Sequence, residues 1–168
     1  EGIAWLGITT DAVYRQSERT DLYRKHLEKL IASGAAYVSE EDEVGEVDPA
    51  SPGLRRARVV RFKNPNKRIT FNDLVRGEVS FDTTELKDFV IAKSITEPLY
   101  HLAVVVDDFE MGITHIIRGE DHLSNTPRQI LIQEALGAPR PLYAHVPLIL
   151  ASDRSKLSKR KHGEAVSL

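Results

Sequence analysis

Residues 113–150 have the sequence ITHIIRGEDHLSNTPRQILIQEALGAPRPLYAHVPLIL, and this stretch decides the fold class. Its apolar pattern predicts a strand over 113–117, a helix with Thr126 as its N-cap, and a second strand over 143–150. Gly137 supplies the signal that ends the helix. A strand, a helix and a strand in this order predict a parallel pair joined by a right-handed crossover, so we expect an α/β fold.

Upstream of this stretch, the sequence predicts one helix and then several short strands. Apolar residues on one side of a helical wheel predict a helix over 21–33, which ends before Gly34. Residues 100–110 fit both a strand, because of their three valines, and a helix, because of their apolar spacing. Between these segments we expect a small α+β unit inserted into a larger fold, with short strands over 36–38, 58–62, 69–71, 79–81 and 89–92.

Composition narrows the class of protein. The chain has 168 residues, close to the roughly 150 of one domain, and its 23 basic and 25 acidic residues give a net charge of −2. No overall basic field therefore indicates a nucleic-acid partner. The absence of cysteine excludes disulfides, thiolate zinc sites and a cysteine nucleophile. The longest apolar run, 102–106, is too short for a bilayer, so we expect no membrane association and a cytoplasmic protein.

A basic loop follows the last predicted strand. Its single acid is Asp153, and its bases are Arg154, Lys156, Lys159, Arg160 and Lys161. Mobile ammonium groups after a buried strand can clamp an anion and follow its charge as a phosphate leaves. A solvated loop without a ligand explains the same composition.

A second polar cluster, 118–122, follows the strand predicted over 113–117. Ligands of open α/β sheets bind outside the carboxyl ends of the strands. Arg118 supplies a fork that fits a carboxylate, and Asp121 supplies an acceptor for hydroxyl groups or an amine. An Arg–Glu ion pair beside a helix cap would explain these residues equally well.

A third cluster places seven basic residues and no acid between Leu54 and Arg68. Strand alternation over 58–62 places Val59 and Arg61 on the inward face. The cluster could contact a nucleic-acid backbone, or it could be a surface balanced by the acidic stretch 40–48.

Several segments together resemble one family. Residues 156–160, Lys-Leu-Ser-Lys-Arg, are similar to the second signature of class I aminoacyl-tRNA synthetases, the Lys-Met-Ser-Lys-Ser type. Further segments resemble bacterial glutamyl-tRNA synthetases in the order expected for that family: 17–19 with 22–23, 100–108, 112–122 and 125–129. The resemblance covers nearly the whole chain, and it favours a helix over 100–110.

This resemblance implies a partial Rossmann-type catalytic domain of a class I synthetase, with an inserted α+β unit that binds the tRNA acceptor stem. We expect the catalytic domain in 1–35 and 96–168, and the inserted unit in 36–95. The implied reaction joins L-glutamate to ATP as glutamyl-adenylate, releases pyrophosphate, and then transfers the glutamyl group to the 3′ end of tRNA(Glu).

The resemblance also implies roles for particular residues. Lys159, assisted by Lys156, would hold the ATP phosphates and stabilise the charge that develops on them. The ATP site would further be lined by Asp121 and by the backbone of Ile149. The glutamate substrate would contact Tyr100 and Arg118. Mg²⁺ would accompany ATP, no zinc is expected, and the protein would be a monomer.

The sequence departs from the family in its first signature, His-x-Gly-His, which is absent. We therefore expect a fragment whose missing signature lies upstream of Glu1, and little or no activity from these residues alone. Two further hypotheses stay open: a glutamyl-queuosine tRNA(Asp) synthetase, and a non-catalytic piece that binds tRNA or a nucleotide. Glutaminyl-tRNA synthetase fits less well, because 100–122 resembles the bacterial glutamyl type more closely.

Overall fold

A computed structural model of the protein describes residues 2–42 and 56–150. The helices are α1 Gly2–Trp5, α2 Thr20–Ala32, α3 Tyr100–Glu110 and α4 Thr126–Leu136. The strands are β1 Ala36–Asp42, β2 Arg56–Phe62, β3 Arg68–Asp73, β4 Gly77–Asp82, β5 Phe89–Ser94, β6 Glu97–Pro98, β7 His115–Gly119 and β8 Leu142–Val146. This order of strands and helices confirms the predicted α/β class.

The described strands form two four-stranded sheets. The first has the order β1-β2-β5-β6 and is antiparallel throughout. The second has the order β4-β3-β8-β7, in which β7 and β8 are the predicted parallel pair and β3 joins β8 in parallel. The β3–β4 hairpin, from the range 36–95, therefore extends the sheet that carries Arg118 on β7. The division of the chain into a catalytic domain and an inserted unit stays a prediction.

One hydrophobic core joins α2, α3 and α4 to both sheets. The buried face of α2 contributes Tyr23, Leu27 and Leu30, and α3 contributes Leu102, Val105 and Val106. Apolar residues occupy several sides of α3, which explains why periodicity alone did not separate helix from strand there. Among the described residues, no helix combines the length and apolarity that a membrane crossing requires.

Three local predictions were wrong. Helix α4 begins at Thr126 and its N-cap is Asn125, because the 3₁₀ helix Glu120–Asn125 runs directly into α4. Strand β7 begins and ends two residues later than the predicted 113–117, and because it ends at Gly119, Arg118 lies within the strand rather than after it. Strand β8 ends at Val146 because Pro147 has no N–H to continue the ladder.

The inward face of β2 was also predicted wrongly. Val60 and Phe62 are each 2% exposed, whereas Val59 and Arg61 are half-buried. Packing two apolar side chains into the core buries more apolar surface than packing one valine and an arginine would.

Candidate functional site

Arg118 lies near the carboxyl end of β7, where it is directly paired with His145 of β8. Its Nε donates a hydrogen bond to His145 Nε2 at 3.1 Å, and its Nη2 donates to Thr126 Oγ1 at 2.8 Å. The guanidinium carbon lies 5.7 Å from the centre of the Tyr143 ring. An arginine N–H can only donate, so the accepting nitrogen of His145 is unprotonated. Within the described residues Arg118 has no carboxylate as a hydrogen-bond partner, and its positive charge stays available to an anionic ligand.

Behind Arg118, His145 contacts Asp73 at the end of β3. His145 Nδ1 lies 2.6 Å from Asp73 Oδ2, and both side chains are fully buried. Burial alone would raise the pKa of Asp73. Hydrogen bonds from the imidazole and amide of His145 and from the amides of Val75 and Arg76 outweigh burial, and they hold this pKa at about 2. Asp73 is therefore an ionised acceptor at neutral pH.

On α3 and α4, the charged and titratable groups within electrostatic range of Arg118 include His101, close to Arg128, and Asp108. Burial, together with the charges of Arg128 and Arg118, lowers the pKa of His101 to about 4. His101 is therefore neutral at neutral pH. Two arginines close to one neutral histidine suit the binding of an anion.

Tyr100 lies in the first turn of α3 with its side chain about half exposed. Its ring centre is 6.2 Å from that of His122, which belongs to the 3₁₀ helix directly after Arg118 and β7. The structure thus places Tyr100 against the same polar segment that follows β7, and no hydrogen bond or cation–π contact joins the two described residues Tyr100 and Arg118.

The segment after β7 packs against the chain that follows β8. Glu120 accepts a hydrogen bond from the amide of Leu148 at 3.2 Å and forms an ion pair with Arg76. A Cβ built on Gly119 would lie 2.5 Å from Asp121 Oδ1 and 3.3 Å from Leu148 Cδ2, so a glycine permits this close approach. Ile149 is 76% exposed at the same end of the sheet.

The ion pair between Arg118 and Glu120, which the sequence left open as an alternative, is not found between these two described residues. Glu120 pairs with Arg76 on the loop after β3, not with Arg118. Arg118 is thereby separated from the nearest acid of its own segment, and the ion pair does not compete with a carboxylate ligand.

A cavity of about 260 Å³ lies at the opposite, amino ends of β7 and β8. Asp108 lines this cavity, and burial raises its pKa to about 6 although the charge of Arg118 acts in the other direction. The sequence predicted no site here. Of the predicted site residues that the structure describes, none lines the cavity.

The basic cluster between Leu54 and Arg68 is largely paired with acids where the structure describes it. Arg61 Nε lies 2.5 Å from Glu41 Oε1, and Lys67 Nζ lies 2.6 Å from Glu134 Oε2. Arg58 is 3.9 Å from Glu40 on β1. These contacts favour the balanced surface over a nucleic-acid contact for the described part of the cluster.

Two family-like segments meet away from Arg118. Arg19 Nε donates to Asp107 Oδ1 at 2.8 Å, and the Tyr23 hydroxyl donates to the same carboxylate at 2.9 Å. Gln16 adds a third donor at 3.0 Å. The motif 17–23 and the motif 100–108 thus share one buried hydrogen-bond cluster that ties α2 to α3.

Sequence analysis missed Asp73 and His145, and it assigned Thr126 only as a cap. Strand-end position is the signal that could have found Asp73 and His145, had the pairing of β3 with β8 been predicted. Lys156 and Lys159 lie outside the described residues. In residues 2–42 and 56–150, no three His, Asp or Glu side chains converge in a way that could hold a metal ion.

The parallel β7–β8 pair carries polar side chains at its carboxyl end. This arrangement is typical of α/β folds that bind ligands at the ends of their strands. The model of the family described as tRNA synthetases class I (E and Q), catalytic domain, matches residues 1–45 and 54–167. This chain therefore belongs to the catalytic-domain family of class I tRNA synthetases of the glutamate and glutamine type.

Named relatives agree with this family. The chain is 46% identical to the glutamate–tRNA ligase of Aquifex aeolicus, covering 100% of this chain and 41% of the relative. It is 47% identical to that of Carboxydothermus hydrogenoformans, covering 97% and 41%. A crystal structure of a glutamate tRNA ligase from Elizabethkingia meningosepticum, in complex with its amino acid, superposes with a TM-score of 0.81 at 31% identity, covering 97% and 41%. The chain spans about two fifths of the length of these relatives.

Proposed function

We propose that the protein to which this sequence belongs is a glutamate–tRNA ligase. It activates L-glutamate with ATP to glutamyl-adenylate and then transfers the glutamyl group to the 3′ end of tRNA(Glu). One observation carries the proposal: Arg118 is held at the carboxyl end of β7 by the neutral groups of His145 and Thr126. A guanidinium held in this way keeps its charge and its remaining N–H groups for a carboxylate.

The other site residues take roles around Arg118. Tyr100 contacts the glutamate, and Asp121 and Ile149 line the ATP site at the same end of the sheet. Lys159 and Lys156 bind the ATP phosphates and stabilise the charge that develops as pyrophosphate leaves. Mg²⁺ enters with ATP, held by phosphate oxygens and water rather than by a protein cage. Catalysis by positioning and charge stabilisation needs no covalent nucleophile.

The acceptor of the glutamyl group is proposed to be tRNA(Glu), bound in part by the unit at 36–95. The glutamate–tRNA ligases at 44–47% identity support this acceptor over the tRNA(Asp) of a glutamyl-queuosine enzyme. Because a free guanidinium binds a phosphate as well as a carboxylate, glutamate-dependent exchange is the measurement that separates the ligase from a piece that binds only tRNA or a nucleotide.

The test uses a chimera in which this chain replaces the matching segment of the Aquifex aeolicus ligase. Glutamate-dependent ATP–pyrophosphate exchange is then measured with tRNA(Glu) present. Arg118→Ala should lower kcat/KM for glutamate about 100-fold, because it removes a charged partner from a desolvated carboxylate. Arg140→Ala is the matched control, since Arg140 pairs with Glu134 at the opposite end of β8. Unchanged exchange in Arg118→Ala, or no exchange in the chimera, contradicts the proposal.

A further inference from the structure

The pair Asp73–His145 lies behind Arg118, out of reach of any ligand. Asp73 is 1% exposed and His145 is 0% exposed. The backbone already holds β3 to β8, because the amide of Leu74 donates to the carbonyl of Tyr143 at 2.8 Å. A buried carboxylate costs free energy when it leaves water. Asp73 Oδ1 serves the turn after β3, where it accepts from the amides of Val75 and Arg76 at 3.0 Å, whereas Asp73 Oδ2 lies 2.6 Å from the His145 imidazole. Neither the strand pairing nor the turn explains this contact with the imidazole.

Two hydrogen bonds link Arg118 through His145 to Asp73, and each has only one possible donor. An arginine N–H can only donate, so His145 Nε2 must be the unprotonated acceptor at 3.1 Å. The proton of the neutral imidazole then lies on Nδ1, which donates to Asp73 at 2.6 Å. An ionised carboxylate can only accept. Neither link can reverse, so the imidazole keeps one tautomer and one ring orientation.

Thr126 provides a second, independent hold on the same guanidinium. Its hydroxyl oxygen accepts from Arg118 Nη2 at 2.8 Å and lies 3.1 Å from His145 Nε2. Thr126 is fully buried. With Nε and Nη2 both engaged on rigid partners, the plane of the guanidinium is set, and its Nη1 edge has no hydrogen-bond partner in the described part of the chain.

We infer that Asp73 is a positioning residue for the amino-acid site: through His145, it fixes the guanidinium plane of Arg118 so that the Nη1 edge meets the carboxylate of the substrate. The inference rests on the proposed function, since it gives Arg118 a glutamate ligand. Asp73 itself touches no substrate. Because Asp73 holds Arg118 in place beforehand, glutamate binding does not have to pay the conformational entropy of ordering a flexible arginine.

The functional test uses the same chimera and the same exchange assay. Asp73→Asn should raise the KM for glutamate about tenfold, leave the KM for ATP within about twofold, and change kcat less than the glutamate KM. In the Arg118→Ala background, Asp73→Asn should add less than about twofold, because its effect passes through Arg118. Asp107→Asn is the control. It makes the same substitution at another buried carboxylate, one that binds Arg19 and Tyr23 and does not contact Arg118 or its partners.

A second variant and an NMR measurement test the inference even if Asp73→Asn does not fold. Thr126→Val keeps the shape of the side chain and removes the hydroxyl, and it should raise the glutamate KM about threefold with an unchanged ATP KM. In this chain, nitrogen-15 spectra should show one protonated and one unprotonated imidazole nitrogen on His145, with the proton on Nδ1. Asp73→Asn should speed the exchange of the Arg118 Nε–H with water.

The outcomes separate the two proposals. If Arg118→Ala leaves kcat/KM for glutamate unchanged, the proposed function and this inference both fail. If Arg118→Ala lowers that kcat/KM while Asp73→Asn and Thr126→Val leave the glutamate KM unchanged, only the positioning role is overturned. An Asp73→Asn effect that persists at full size without Arg118, or a proton on His145 Nε2, also overturns it.

Discussion

Asp107 and Asp73 are two buried carboxylates whose partners differ in charge. Asp107 is bound by the cation Arg19 and by the hydroxyl of Tyr23, and the ion pair is 12–16% exposed at its side chains. Asp73 is bound by a histidine and by backbone amides, with no exposure at either side chain of the pair. The first cluster contains its own compensating cation. In the second, the cation Arg118 is one residue further along.

This difference separates an anchor from a site. The charge of Arg19 is neutralised where it lies, so the Asp107 cluster can hold α2 to α3 but has little charge left for a ligand. His145 satisfies Asp73 without a formal charge, and it then accepts from Arg118 without neutralising it. A neutral imidazole between an acid and a base thus orients the base and preserves its charge.

The comparison predicts first a difference in stability. Asp73→Ala should lower the free energy of unfolding by about 4 kcal/mol, because it leaves several buried donors without an acceptor and without access to water. Asp107→Ala should cost less, because water can reach the partly exposed side chains there. Urea unfolding of this chain measures both, with the exposed Asp21→Ala as control. A larger loss in Asp107→Ala would break the comparison.

Measuring stability against pH sharpens the comparison of Asp73 with Asp107. The pKa of Asp73 is about 2 in the fold against 3.8 in the unfolded chain, so the folded state holds the proton less tightly. The resulting stability is fully present above pH 4 and is lost as pH falls towards 2, in total about 2 kcal/mol. Asp73→Asn should remove this part of the slope. Equal slopes between pH 4 and 2.5 in the variant and the parent chain would contradict the assignment.

The smallest effect is expected at Asp108, because its side chain is half-buried and water screens its charge. Burial, aided by the charge of Asp107, raises its pKa to about 6 although Arg118 acts in the opposite direction. The unfolded chain therefore ionises first, and stability falls as pH rises from about 4 to 6. Asp108→Asn should gain stability relative to the parent chain at pH 7.5 but not at pH 4. Thermal unfolding at both values checks this, and a pH-independent difference would refute it.

Much of the local structure was predictable because its causes are local. The helix predicted over 21–33 is found at Thr20–Ala32, and Gly137 ends α4 with a φ of 71°, a left-handed conformation that glycine adopts without strain. The predictions were wrong where the local structure depends on neighbouring elements. Asn125 displaced Thr126 as the N-cap only because a 3₁₀ helix precedes α4, and the inward face of β2 depended on which side the core occupies.

The candidate site was predictable in part for the same reason. Arg118, Asp121 and Tyr100 lie in segments that resemble a family, so sequence alone singled them out. Their arrangement was not predictable: the ion pair of Glu120 goes to Arg76, and Tyr100 meets His122, across turns whose geometry depends on packing.

By itself, the sequence determined the α/β class, the parallel β7–β8 pair and the resemblance to class I synthetases, because periodicity, caps and motifs are encoded in neighbouring residues. Only the tertiary structure decided that Asp73 would support Arg118. Asp73 and His145 are 72 positions apart, and they meet because β3 pairs with β8 in one register. A shift of that register by one residue would turn either side chain to the other face of the sheet, so the contact is a property of strand pairing and not of any local segment.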